Sequence, residues 1–243
     1  MVASCATSAY VAPVIKTRLK NRMLSAISPE HEAPPPERWQ QRKSAQTRQR
    51  LIEAGIDCLV EGGYARLTTA AVSERCGVSR GAMHHHFPTR QDLVSTVVEF
   101  VVYQRMRAFL EDYFALLRES GEESMVEVAT QAHWRSVQSR EYAAYLELNM
   151  AARTDADLAA VFLPAARRYD EVWTSEMIEA FPQWREQWEA LKLASDFTNA
   201  MHMGLLLHLP ILGDGARVQR MLEFSAESVK ALHKRALDGV ADA

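Results

Sequence analysis

The residues of this 243-residue chain best suited to act on a partner stand between Thr68 and Arg90. Arg80, Gly81 and Ala82 follow a Gly77-Val78-Ser79 turn. A guanidinium can bind guanine O6 and N7 bidentately, and an alanine methyl can pack on that of thymine. Arg80 would serve a backbone phosphate equally well. Gly81 lets a backbone approach another surface closely, and Ser79 opens the segment that carries all three outward. His84, His85 and His86 come next. Neighbours on a helix point about 100° apart, so three in a row do not converge on one tetrahedral ion. An imidazole can also meet an anion, by hydrogen bond when neutral and by charge when protonated. Thr68 and Thr69, at a helix start, offer free N–H groups and the positive end of a dipole to an anion. Arg42, Lys43, Arg48 and Arg50 read as a basic arm on DNA backbone or minor groove, although each alone is also an ordinary solvated cation.

These residues need short helices in fixed order. A first helix is expected from about Ser44 to Gly62, with Leu51, Ile52, Gly55, Ile56 and Leu59 on one face. Gly62-Gly63 should stop it, and Thr68 should cap a short helix over 69–75 anchored by Val72. Gly77 turns the chain, Ser79 caps a third helix to about His86, and Met83 and Phe87 point inward. Two helices joined by a short glycine-containing turn form a helix-turn-helix, whose second helix enters the major groove.

Residues 44–93 resemble the DNA-binding domain of the TetR family of transcriptional regulators. The resemblance is carried by Thr68, Val72, Gly77-Val78-Ser79, Gly81-Ala82, His86-Phe87, Arg90 and Leu93. His84 and His85 occupy the neighbourhood where the family often has a phosphate-contacting Tyr, and Arg90 the position of its frequent phosphate-contacting Lys. The resemblance implies an all-α fold, a three-helix DNA-binding head with a helix-turn-helix on a helical ligand-binding and dimerisation body. That gives expected divisions at 1–37 (a disordered extension), 38–91 (DNA-binding domain) and 92–243 (body).

Across the body, helices are expected at 90–118, 122–138, 140–153, 156–181, 185–211 and 215–237. Breaks lie at Gly121, at 153–155, at Phe181-Pro182 and at 213–215; Pro210 interrupts the apolar run 205–212. The first would link head and body rigidly. Val218, Leu222, Ser225, Val229 and Leu232 repeat as a short heptad seam, with Leu191, Thr198, His202, Leu205 and Leu209 as a matching stripe. The resemblance implies that these two helices, at 185–211 and 215–237, pair with their symmetry mates in a homodimer; alternatively the stripes face the monomer's own core. His133, Trp134, Tyr142, Tyr145, Met150, Phe162, Tyr169, Trp173, Met177, Asn199 and His202 could enclose a small effector, apolar or aromatic in character. The same stripes would equally build a helical core.

Charge divides the same way. Residues 1–91 carry 13 Lys and Arg against 7 Asp and Glu, and residues 92–243 carry 15 against 24. A basic leading part on an acidic body fits a nucleic-acid partner at one end. Cys5, Cys58 and Cys76 match no metal or CxxC pattern and read as reduced thiols of a cytoplasmic protein. No apolar run is long enough for a transmembrane helix. No nucleophile elbow, HExxH, phosphate loop or nucleotide fingerprint occurs, so neither an enzyme nor a cofactor or metal is expected. The function implied is a homodimeric repressor, released from a palindromic double-stranded operator by a small molecule. The alternative is an all-α ligand-binding or enzymatic protein with a vestigial head.

Overall fold

A computed structural model describes residues 8–29, 39–120, 125–180, 185, 187–213 and 215–241, and every regular element in them is helical. In order these are α1 (Ser8–Ala26), α2 (Trp39–Gly62), α3 (Thr69–Cys76), α4 (Arg80–His86), α5 (Arg90–Ser120), α6 (Met125–Val137), α7 (Arg140–Ala152), α8 (Ala156–Ala180), α9 (Trp188–Leu212) and α10 (Ala216–Ala241). A single 3-10 turn, Tyr64–Arg66, joins α2 to α3. The expected breaks at 121 and 181–182 lie outside the described residues.

Local chemistry accounts for the short helices. The Thr68 hydroxyl accepts from the Ala71 N–H, and that of Ser79 from the Ala82 N–H, each at 3.1 Å. Each cap satisfies a donor that a helix start otherwise leaves unpaired. Gly77 closes α3 in the left-handed region at φ 67°, which costs a residue without Cβ little. Pro210 does not end α9, which runs two residues further to Leu212.

The helices form two compact units. One holds residues 27–106 and 139–169. Its core joins Leu51, Ile56 and Leu59 of α2, Val72 of α3, Met83 of α4 and Phe87 just after it, Leu93 and Val97 of α5, Leu148 of α7, and Leu158 and Phe162 of α8. The helix-turn-helix therefore shares its core with the first half of α5, with α7 and with the start of α8. The division expected at 91/92 does not coincide with this unit, because Leu148, Leu158 and Phe162 bury their surface against the head. Arg140, at the start of α7, ties the unit together. Its guanidinium donates to Asp57 at 2.5 Å and 2.8 Å and to Glu53 at 2.8 Å, both on α2.

The other unit holds residues 1–26, 107–138 and 170–243. The leading segment, expected to lack fixed structure, instead includes α1. That helix buries Leu19 and Met23, and two of its basic residues pair with acids, Lys20 with Glu111 and Arg22 with Glu176 and Glu179. Amphipathic burial, which an acid-poor composition does not reveal, orders it. Here α6, α9 and α10 pack on one another. The expected dimer seam turns inward in this unit: Val218, Ser225, Val229, Leu191, His202 and Leu205 are all buried, and Leu222, Leu232, Thr198 and Leu209 half-buried. Those stripes are monomer core.

Candidate nucleic-acid interface

Within the first unit, α3 and α4 border a groove of about 520 Å³ lined by Thr69, Ala70, Ser73, Arg80, Met83, His84, Phe87, Pro88 and Arg90. Buried Met83 and Phe87 seat α4 on the core. Arg80 and His84 border this same face at the groove and are exposed, as are Gly81 and His85, with Ala82 half-exposed. No described side chain holds the Arg80 guanidinium, which leaves all five of its donors for a partner. A Cβ on Gly81 would meet nothing nearer than the Ser79 hydroxyl at 4.0 Å. Packing among the described residues of the head therefore does not require glycine there.

The other basic residues divide by what they touch. Arg42 and Lys43 are exposed, with the Lys43 ammonium 5.3 Å from the Trp39 ring. Arg48 turns inward: it donates to the Thr96 hydroxyl at 3.2 Å and lies 5.1 Å from the Phe87 ring. Burial lowers its basicity. Arg50 donates to the Cys76 carbonyl at 2.9 Å and so closes α3. Arg90 donates to the Leu67 carbonyl, to the Tyr64 hydroxyl and to the Tyr64 carbonyl, with its guanidinium 4.6 Å from the Tyr64 ring. Arg48 and Arg90 thus brace the head, Arg90 keeping spare donors toward the groove. Thr68 and Ser79 spend their hydroxyl lone pairs on caps, and Thr69 lines the groove. His86 lies half-buried, its proton affinity lowered by burial first and then by His85 and Arg48.

The residues expected to enclose an effector divide between the two units. His133, Trp134, Trp173, Met177, Asn199 and His202 belong to the second unit, whereas Tyr145, Met150, Phe162 and Tyr169 belong to the first. In the second unit the buried His133 and His202 rings stack, with Nδ1 atoms 2.8 Å apart, so one Nδ1 donates and the other accepts. Burial pushes the His202 imidazolium down to about 4, which keeps that ring neutral. Trp134 meets His202 edge-on, and Trp173 meets Phe109 likewise. Met177 is buried and Asn199 half-buried. In the first unit Phe162 and Tyr145 pack together in or against the core, while Met150 is exposed. Tyr142 is buried beside Tyr145. Arg105 was not foreseen, although a charge midway between Val101 and Phe109 on an apolar stripe is a legible signal.

Residues 51–97 match the model of the bacterial regulatory proteins of the tetR family. Over 122 residues the chain is 34% identical to an uncharacterised HTH-type transcriptional regulator of Mycobacterium tuberculosis, covering 50% of this chain and 60% of that protein. It is 39% identical over 79 residues to the HTH-type transcriptional regulator CymR of Pseudomonas putida, 31% of this chain and 39% of that one. The chain thus spans less than two thirds of the length of these relatives. Among solved structures, a TetR family member from Streptomyces coelicolor A3 superposes with a TM-score of 0.59 at 18% identity, over 77% of this chain and 98% of that one. The multidrug binding protein EbrR, complexed with imidazole, superposes with a TM-score of 0.55 at 19% identity, over 76% of this chain and 93% of that one. At these identities the likeness is one of fold.

Proposed function

Its head places this chain in the TetR family, and from that premise we propose that it is a sequence-specific DNA-binding regulator. It acts as a homodimeric repressor that leaves a palindromic operator when a small molecule binds the helical body. The observation that carries this is Arg80, held outward by a seated, capped helix and spoken for by no described group of its own head. Thr69, His84, His85, Arg42 and Lys43 supply phosphate contacts around it.

A dimer finds support on the outer faces of α9 and α10. Leu193, Phe197, Ala200, Gly204, Leu207 and Ile211 recur at heptad spacing on α9, with Ile211 75% exposed. Met221, Phe224, Ser228 and Ala231 do so on α10, with Phe224 68% exposed. Among the described residues, nothing beyond Gly204's chain neighbours and its own helix backbone lies within 4 Å of where its Cβ would be, which leaves room for a partner helix to come close. A two-fold pair would set two recognition helices on half-sites a turn of DNA apart or more. Such a regulator works inside the cell, and among the described residues no helix is long and apolar enough to cross a membrane.

Selection of bound DNA from a random library tests the reading, with a palindrome expected. A folded dimer that retains no sequence preference would overturn it and favour the ligand-binding alternative. Release is tested separately, by adding small molecules to the complex with the selected DNA.

A further inference from the structure

Arg105 carries a charge into the first unit where no acid meets it. It is 6% exposed, and its guanidinium carbon lies 3.7 Å from the centre of the Tyr145 ring, 4.7 Å from Tyr142 and 4.9 Å from Tyr169. Its Nε is buried without an acceptor, and among the described residues no Asp or Glu pairs with it. The acid beside Tyr142, Glu141, is engaged by Arg140.

A buried ion is costly unless paired and hydrogen-bonded. Aromatic faces offset part of that cost through their quadrupoles, but they accept none of the five in-plane N–H donors. The arrangement stabilises the cation and leaves its Nε–H unspent. A crevice of about 230 Å³ runs along the same two helices. Val102, one turn before Arg105 on α5, and Ala165, one turn before Tyr169 on α8, both line it, with Glu99 and Arg168 at its polar part.

We propose that Arg105 is the anchor for the carboxylate of a small, partly apolar organic acid, whose hydrocarbon part lies against the rings of Tyr142, Tyr145 and Tyr169. A guanidinium fork matches a carboxylate in two parallel charge-assisted hydrogen bonds, and the low local dielectric strengthens them. The tyrosine faces provide an apolar wall with polar edges, as small-molecule sites commonly do. The identity of the ligand as an effector rests on the reading of this chain as a ligand-released regulator; the existence of the site does not.

The test is calorimetric titration and thermal unfolding of the full chain, without DNA, using benzoate, phenylacetate and hexanoate, each beside its primary amide. At least one acid is expected to bind and raise Tm while its amide does neither. R105M should lose at least tenfold in affinity for that acid, and its unliganded Tm should equal or exceed that of wild type, because the variant no longer buries an unpaired charge. Should R105M not fold, R105K keeps the charge but not the fork, and a loss of at least fivefold is expected. Absence of binding by all three acids, equal binding of acid and amide, or wild-type affinity in R105M or R105K would overturn the proposal. Arg105-dependent binding that leaves the complex with selected DNA intact would support the site and count only against the effector reading.

Discussion

Replacing Arg80 by Ala separates recognition from folding. The side chain is exposed and no described group of the head holds it, so its truncation should change unfolding free energy by no more than about 0.5 kcal/mol. The Ser79 cap and the buried Met83 and Phe87 are untouched, and α4 keeps its place. A bidentate contact to guanine is worth about 1–3 kcal/mol of discrimination, which is roughly a 5- to 140-fold loss at the selected operator. The two uses of this guanidinium differ in salt dependence. If it reads a base, specificity at one position relaxes and the slope of log K against log salt stays put. If it neutralises a phosphate, affinity falls on every sequence and the slope shrinks by about 0.9. Mobility shifts at several salt concentrations, on the operator and on single-base variants, measure both. Affinity equal to wild type throughout would refute the assignment, and a matching fall in Tm would show that the loss came from the fold.

Truncation of the cap in Thr68→Ala should cost about 1 kcal/mol of stability, read by chemical denaturation; an unchanged midpoint would mean that the 3.1 Å bond to Ala71 contributes nothing. Phe224→Asp places a charge on the outer face of α10 and should convert a dimer to a monomer in light scattering without loss of helicity; a dimer that survives it would move the interface elsewhere. Stability should also fall as pH drops from about 6.5 toward about 4. His202 stays neutral when folded, its pKa being down near 4, whereas the unfolded chain takes up a proton near the ordinary histidine value. The unfolded state thus binds more protons in this window, and the slope contributed is at most about 1.4 kcal/mol per pH unit. Burial lowers His86 and His233 in the same direction, with the same sign of effect. H202L should flatten the profile, and an identical slope in wild type and variant would count against His202 as the source.

Sequence alone determined what depends on neighbours along the chain. Thr68 and Ser79 cap, Gly77 turns, and Val72, Met83 and Phe87 point inward, because caps, left-handed turns and helical periodicity act over three or four residues. Tertiary structure decided which of two apolar stripes faces home. α9 and α10 each carry an inner stripe, through His202 or Ser225, and an outer one, through Ile211 or Phe224. Periodicity relates residues on one helix but cannot say which face meets the chain's own α6, since both stripes are apolar. Long cations were undecided for a similar reason. Arg48, Arg90 and Arg105 carry flexible stems that reach inward as readily as outward, and only packing set them on Phe87, Tyr64 and Tyr145. Arg80 did not depend on distant packing in this way, because it opens α4 directly after the Ser79 cap, at a helix start that local chemistry alone fixes and leaves exposed.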